Sequence, residues 1–294
     1  MNLVNPVVNL DEPIISFGPK SVGVPFSIGD GFDALSFRHS SFNTGFDPLI
    51  MVDHYMMNAP TFGAHPHAGL SAVSILFEDS VGKFHNTDSM GNDFDLEPGD
   101  LYWLKAGSGA VHDERPRPGA KIHGLQMFVN IPNKDKNTRP DSLHVKSSDM
   151  PIIAGDGSRV RLVLGSYLNV KSAESPSTPI NILDGKLDGA SDFRFHLEAG
   201  LNTWVYAVSG MVGLTLGESE LMLQKGESTV IEGGQAKSIV TLFNQDSKEA
   251  HFVIVSGKPL NESFVQQGPL VASDNEAMNN VIAREAAGLF GSIS

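Results

Sequence analysis

Short apolar segments separated by turn residues recur along the whole chain. Segments 72–77 and 124–130 are rich in β-branched, aromatic and other apolar residues and are too short for helices, which is typical of β-strands. Between such segments, Pro98 and Gly99 stand where a type II turn places proline and glycine, and Gly91 marks a second turn. The pattern therefore predicts many short strands joined by tight turns.

The second half of the chain repeats this alternation. Strand-like segments 204–208 and 211–216 flank the turn dipeptide Ser209-Gly210. Two copies of one strand-and-turn pattern predict two β-barrels in tandem within an all-β chain. We expect three regions, namely a first barrel at residues 1–145, a linker with a bridging strand at 146–190, and a second barrel followed by a C-terminal helix at 191–294.

The sequence signals one helix clearly, and it lies near the C-terminus. Ser273, followed three residues later by Glu276, matches a capping box. Apolar residues then recur at helical spacing: Ala277, Met278, Val281 and Ile282. We expect an amphipathic helix that packs on a barrel and ends at Gly288 or Gly291.

Charge and cysteine content narrow the possible functions. Asp and Glu outnumber Lys and Arg by 34 to 21, so the formal net charge is −13 and the calculated pI is about 5.1. Binding nucleic acid through its phosphates needs clustered Lys and Arg, so we expect no direct nucleic acid binding. The chain has no cysteine, which excludes disulfides, thiolate metal sites and cysteine nucleophiles.

The same sequence gives an expectation for location. Residues 1–13 lack the basic and then apolar layout of a signal peptide, and no apolar run is long enough to cross a membrane. We therefore expect a soluble, cytoplasmic protein with no membrane association.

Candidate metal ligands are concentrated in one place. His65 and His67 form an H-x-H pair, His112 follows His67 by 45 residues, and Glu114 lies two residues further on. Residues two apart on a strand point to the same face, so each pair can aim at one point. Three imidazoles and one carboxylate suit a divalent transition metal and leave two positions of an octahedron open. An H-x-H pair alone is a weak motif, because a single histidine is more often a surface or hydrogen-bonded residue.

The chain also resembles the pirin family in motifs that span most of its length and occur in the family's order. The H-x-H pair belongs to one of these motifs and the His112–Glu114 pair to another. The matching segments are 48–55, 65–69, 88–92, 98–103, 106–114, 124–132 and 268–271. Several motifs in the right order are far more specific than one pair of histidines.

The resemblance implies a bicupin, in which two cupin β-barrels pack together and the N-terminal barrel holds one Fe(II). It implies the ligands His65, His67, His112 and Glu114. It further implies two activities of relatives, which are quercetin 2,3-dioxygenase and binding to transcription regulators or metabolic enzymes. Fold analogy does not choose between them.

Three hypotheses about function follow. The leading one is an Fe(II)-dependent dioxygenase that cleaves a flavonol-like enol such as quercetin with dioxygen, Glu114 acting as metal ligand and catalytic base. The second is a metal-dependent regulatory protein that binds a transcription factor or metabolic enzyme, and an acidic surface is compatible with a basic partner. The third is an enzyme for another enol or a diketone.

The chain departs from the family pattern directly after the H-x-H pair. Relatives usually carry Arg and Glu where this chain has Ala68 and Ser71. Neither position is a ligand, so we expect metal binding to survive. We expect the charge and hydrogen bonding beside the metal to change, which would affect the substrate more than the metal and slightly favour the regulatory hypothesis.

Other polar residues are expected to have structural roles. His54 and His123 could line the pocket, but core hydrogen bonding is the favoured interpretation, and Asp113 should point away from its two neighbouring ligands. In the second barrel His196 and His251 lack an H-x-H partner, so we expect no second metal.

Overall fold

The computed structural model describes residues 16–42 and 44–293, and these residues form two β-barrels and one α-helix, as predicted. Segment 1–13, on which the signal-peptide expectation rests, lies outside the described residues. Among the described residues, no helix is long and apolar enough to cross a membrane.

The first barrel pairs a seven-stranded sheet with a four-stranded sheet. The strands of the N-terminal half are β1 (Ser21–Val22), β2 (Val24–Ile28), β3 (Phe32–Arg38), β4 (Leu49–Met57), β5 (His65–His67), β6 (Leu70–Leu76), β7 (Phe84–Asp88), β8 (Asp93–Leu96), β9 (Leu101–Lys105), β10 (Ala110–Pro116), β11 (Ile122–Asn130) and β12 (Asp141–Val145). The larger sheet has the order β12-β9-β6-β11-β4-β3-β2, and the smaller sheet has the order β5-β10-β7-β8.

The second barrel repeats this arrangement. Its sheets have the orders β1-β22-β19-β24-β17-β14-β13 and β18-β23-β20-β21, where the strands are β13 (Ile152–Gly155), β14 (Ser158–Leu164), β15 (Ser166–Tyr167), β16 (Val170–Lys171), β17 (Ile180–Leu187), β18 (Ser191–Leu197), β19 (Asn202–Ser209), β20 (Met211–Leu216), β21 (Ser219–Gln224), β22 (Glu227–Ile231), β23 (Ser238–Asn244) and β24 (Ala250–Gly257). Residues 146–190, expected to be a linker with one bridging strand, thus contain β13, β14 and β17 of the larger sheet, and β15 and β16 form a hairpin.

The N-terminal strand packs on the second barrel, and the C-terminal segment packs on the first. Strand β1 pairs with β22 of the second barrel. At the other end, β25 (Val265–Gln267) and β26 (Leu270–Ala272) precede helix α1 (Asn275–Ala286). Leu270 forms a parallel bridge with Ala68, and both belong to an apolar cluster that includes Met278 and Val281 of α1. The C-terminal segment therefore covers the strand that carries the H-x-H pair.

The predicted helix exists, but its first turn differs from the prediction. Asp274, not Ser273, is the N-cap, and its side chain accepts a hydrogen bond from the backbone N–H of Ala277. Both residue types can cap a helix, so their order in the sequence did not decide between them. Gly288 follows the helix with a φ of 71°, which is the left-handed conformation expected directly after a helix end.

The two seven-stranded sheets face each other across a shared apolar core. Trp103 and Val73 of the first barrel and Trp204 and Tyr206 of the second belong to one buried cluster. Alternate residues of the first barrel's strands point the other way, into the barrel interior, so each strand has an interface face and an interior face. This alternation decides which polar residues can reach the candidate metal site.

Three short 3₁₀ helices complete the described secondary structure and lie in connections between strands. They are His39–Ser41, Asn133–Asp135 and Ser147–Asp149.

Candidate metal centre

Cross-strand pairing brings the three predicted histidines together. Strand β5 pairs antiparallel with β10, so that His65 lies opposite His112 and His67 lies opposite Ala110. His65 and His67 are two residues apart and share a face, and the facing residue of the partner strand shares it too. The register therefore gathers the H-x-H pair and His112 at one point inside the first barrel.

The imidazole nitrogens have the separation expected of ligands to one ion. Nε2 of His112 lies 3.0 Å from Nε2 of His67 and 3.2 Å from Nε2 of His65. Two nitrogens bound at about 2.1 Å to one ion at a right angle lie about 3.0 Å apart. The ligand atoms of all three histidines lie within 4.8 Å of one another. The three side chains thus fit a divalent transition metal.

Burial keeps these histidines in the form that binds a metal. His67 and His112 are almost completely buried. Burial, assisted by the neighbouring imidazoles, lowers the pKa of His67 to about 3 and that of His112 well below its ordinary value. A neutral imidazole has a free lone pair, so the pocket favours metal ligation over protonation.

Glu114 lies in the same cavity, with one carboxylate oxygen free. Its Oε2 accepts a hydrogen bond of 2.7 Å from Ser74 Oγ, whereas its Oε1 is buried without a hydrogen-bond partner among the described residues. Burial raises its pKa to about 7, opposed by the Ser74 hydrogen bond and assisted by the charge of Asp113. A buried carboxylate oxygen without a donor, beside three imidazoles, fits a cation. The ligand atoms that lie within 4.8 Å of one another are those of the three histidines alone, so Glu114 lies beside this cluster and its role as fourth ligand stays a prediction.

Above these residues lies a small cavity of about 150 Å³ with largely apolar walls. Phe32, Met57, Phe84 and Phe128 contribute to its walls. Phe62 also lines it and is 49% exposed, so this side chain marks where the cavity meets solvent. The histidines therefore face a largely apolar cavity. Its low dielectric constant strengthens polar contacts made there.

Several polar residues at this cavity were not predicted from the sequence. Tyr55, Asp53 and Gln126 line it, and the side-chain amide of Gln126 lies 2.7 Å from Ser74 Oγ, whose single proton is donated to Glu114. Burial raises the pKa of Asp53, partly offset by the Ser36 hydroxyl and Arg38. Ser74 and Gln126 each interrupt an apolar strand at an interior position, and this was the signal that could have revealed them.

The expectation that Ala68 and Ser71 alter the metal surroundings is not supported. Ala68 packs in the apolar cluster under α1, and Ser71 Oγ lies 2.8 Å from Ser177 Oγ. Neither residue lines the cavity. Ser71 lies an odd number of residues from Ser74 on β6 and therefore points to the other face of the sheet. The argument that these substitutions favour a regulatory role loses its basis.

Three polar residues discussed from the sequence lie outside the cavity, namely His54, His123 and Asp113. His54 Nδ1 lies 2.5 Å from Tyr206 Oη, and His54 Nε2 lies 2.7 Å from His123 Nε2, at the interface between the barrels. The hydrogen-bonding interpretation of these two histidines is confirmed. Asp113 forms an ion pair with Arg115, as its opposite facing predicts.

The two histidines of the second barrel do not come together. His251 Nε2 lies 2.5 Å from Asp184 Oδ1. The other carboxylate oxygen of Asp184, Oδ2, accepts a hydrogen bond from Arg161. His196 is half-buried on β18. Among the described residues, the group of three possible metal ligands is the His65, His67 and His112 set.

Comparison with known proteins matches both halves of the chain. Residues 16–129 match the family described as Pirin, and residues 182–290 match the Pirin C-terminal cupin domain. Pirin of Mus musculus is 34% identical over 237 residues, which cover 80% of this chain and 80% of that protein. A Pirin-like protein of Solanum lycopersicum is 31% identical over 227 residues, covering 76% of this chain and 75% of that protein.

Solved structures agree with this result. Quercetin 2,3-dioxygenase from Acinetobacter baumannii is 26% identical with a TM-score of 0.83, covering 96% of this chain and all of that one. A bacterial pirin from Escherichia coli, in complex with nickel(II), is 16% identical with a TM-score of 0.61, covering 81% of this chain and 96% of that one. The second likeness concerns the fold alone. Together with the family matches, these structures confirm two cupin barrels.

Proposed function

The chain belongs to the pirin family, and from that premise we propose that it is an Fe(II)-dependent dioxygenase that cleaves a flavonol-like enol such as quercetin. The observation that carries the proposal is the donor set at the cavity floor, where three imidazole nitrogens meet beside a buried carboxylate with a free oxygen. The likeness to a quercetin 2,3-dioxygenase supports the choice of substrate class.

The protein's own residues would prepare the substrate. When bound, Fe(II) would be held by His65, His67 and His112 with Glu114 beside them, and it would supply the Lewis-acid and redox chemistry for the reaction of an enol with dioxygen. Glu114 lines the same cavity as the three histidines and would accept the enol proton, while the Ser74 hydroxyl holds its Oε2 in place. The apolar wall of the cavity would exclude bulk water from the reacting carbons.

The size of the cavity limits how a flavonol could bind. A cavity of about 150 Å³ encloses a ligand of roughly benzene size. The ring that carries the enol would therefore enter the cavity, and the other rings would extend past Phe62 toward solvent. In the proposed reaction both atoms of dioxygen enter the products, the central ring opens and one carbon leaves as carbon monoxide.

Carbon monoxide release from quercetin and dioxygen tests this proposal. Protein loaded anaerobically with iron should release carbon monoxide, and Glu114→Gln should reduce the rate by at least about 100-fold, the usual contribution of a general base. Asp113→Asn is the matched control, because Asp113 is adjacent but pairs with Arg115 outside the cavity. We expect this control to keep most of its rate, because the charge of Asp113 is the smallest of the effects on the pKa of Glu114.

Each result has a definite meaning. Full turnover by iron-loaded Glu114→Gln would contradict the base role. No carbon monoxide from fully loaded wild-type protein would contradict the flavonol proposal and direct attention to other enols, diketones and protein partners. Retrieval of one stoichiometric partner by the iron-loaded protein would then favour the regulatory hypothesis.

A further inference from the structure

One tyrosine of this chain differs from the others in its hydrogen bonding. The chain has four tyrosines, and all lie in the part that the structure describes. Tyr102 Oη donates to Asp88, Tyr167 Oη donates to the carbonyl of Arg194, and Tyr206 Oη bonds with His54. Tyr55 Oη is buried and has no hydrogen-bond partner among the described residues. Phenylalanine would fill the same space without this polar atom.

A buried hydroxyl without a partner destabilises a fold. Removing it from water without a compensating hydrogen bond costs roughly 1–3 kcal/mol. Tyr55 is only 3% exposed, so water outside the protein does not offset this cost. Buried hydroxyls are normally hydrogen-bonded, so we expect this one to have a hydrogen-bond partner other than the described side chains.

The position of Tyr55 indicates what that partner is. Tyr55 lines the same cavity as the three histidines and Glu114. Its ring stacks on Phe32 with centroids 5.7 Å apart and an interplanar angle of 15°, and it lies 6.4 Å from the ring of Phe84. These contacts fix the ring of Tyr55 in the wall of the cavity before any ligand enters.

We propose that the Tyr55 hydroxyl donates a hydrogen bond to an oxygen atom of the ligand that occupies the open metal positions. The residue thereby selects compact ligands that carry an anionic or carbonyl oxygen next to their metal-binding oxygen. This inference rests on the metal site of the proposed function, but it does not require that the ligand be quercetin or that carbon monoxide be released.

Binding of maltol, a single-ring hydroxypyranone, to the cobalt(II)-loaded protein tests the inference. Maltol matches the cavity of about 150 Å³ and carries adjacent hydroxyl and carbonyl oxygens. Its affinity can be followed through the cobalt absorption spectrum without any turnover. We expect Tyr55→Phe to weaken maltol binding roughly tenfold to hundredfold, as the loss of a hydrogen bond to a charged group does.

Two further measurements separate a binding role from a structural one. Tyr55→Phe should keep its cobalt affinity, and its melting temperature should stay the same or rise, because the unpartnered hydroxyl is gone. Tyr167→Phe is the matched control, since that hydroxyl lies in the second barrel and donates to a carbonyl. We expect the control to bind maltol with unchanged affinity.

Three outcomes would overturn the inference. They are no maltol binding by cobalt-loaded wild-type protein, maltol affinity of Tyr55→Phe within about twofold of wild type, and a lower melting temperature of Tyr55→Phe with unchanged maltol affinity. Failure of the proposed function is distinguishable, because it would abolish carbon monoxide release and leave the maltol result intact.

Discussion

The first and second barrels pair the same two sheets in the same strand arrangement, yet they fill their interiors differently. Strand β10 and strand β23 each occupy the second place of the four-stranded sheet. Where β10 places His112 and Glu114, β23 places Val240 and Leu242, which are fully buried within one continuous apolar cluster. One framework thus accepts either a polar cavity or a packed core.

This difference shows how the fold can support an unfavourable site. The interior of the first barrel buries three imidazoles and a carboxylate. It therefore has fewer apolar contacts, and removing these polar groups from water costs free energy. The second barrel packs its interior with aliphatic and aromatic side chains, and the interface between the barrels adds Trp103, Trp204 and Tyr206. Stability contributed by the second barrel and the interface can therefore offset the cost of the cavity.

The largest effect should come from removing a first-barrel histidine. His112→Ala takes away the central nitrogen of the three, which lies within 3.2 Å of both others. We expect metal affinity to fall by at least about 100-fold. This exceeds the usual loss on changing a residue that contacts a ligand but does not itself bind the metal. Metal analysis after dialysis of iron-loaded protein measures it.

His196→Ala in the second barrel provides the matched control. His196 lies on β18, which occupies the same sheet position as β5. We expect metal content equal to that of wild type. Equal loss from both variants would show that the barrels do not differ as we propose.

The sequence predicted the clustering of three histidines in the first barrel because the period of a strand is two residues. His65 and His67, like His112 and Glu114, share a face in any strand, whatever its partners. The sequence could not show that Ser74 contacts Glu114, because Ser74 lies on β6 of the larger sheet and Glu114 on β10 of the smaller one, so the contact depends on how the two sheets pack across the barrel interior. Two tandem barrels and a C-terminal helix could likewise be predicted from repeated local patterns.

Closeness in sequence was misleading after the H-x-H pair. Gly69 has a φ of 68°, and a Cβ atom at this position would lie 1.8 Å from the carbonyl oxygen of Val271. The chain turns here from β5 in one sheet to β6 in the other. Ser71 therefore follows the predicted ligand His67 by four residues without facing the candidate metal site. A long-range contact with Val271, invisible in the sequence, accompanies this turn.

A second test compares the pH dependence of stability in metal-free protein. The pKa of Glu114 is raised from 4.5 to about 7, so the folded state binds its proton more tightly than the unfolded state. This contribution to stability is present below about pH 4.5 and is lost as the pH rises through about 7. Glu114→Gln has no group that ionises here, so its free energy of unfolding should not fall over this pH range. The difference in free energy of unfolding between this variant and wild type should therefore grow with pH to on the order of 3 kcal/mol. Denaturant unfolding at several pH values measures the difference.

Leu242→Ala is the second-barrel counterpart of that test. Leu242 is fully buried and does not titrate, so its truncation should cost about 2–5 kcal/mol at every pH. A pH-independent Glu114→Gln effect would contradict the account of a buried, unpaired carboxylate in the first barrel.

The smallest effect should come from two serines on the two faces of β6. Ser74 Oγ donates to Glu114, and Ser71 Oγ pairs with Ser177 outside the cavity. Ser74→Ala removes the contact that orients the carboxylate, so metal affinity should fall by roughly 10- to 100-fold, whereas Ser71→Ala should leave it within about twofold of wild type. Competition with a chromophoric chelator measures both. Equal losses would mean that residues near the ligands affect the metal through general stability, because only Ser74 contacts a proposed ligand.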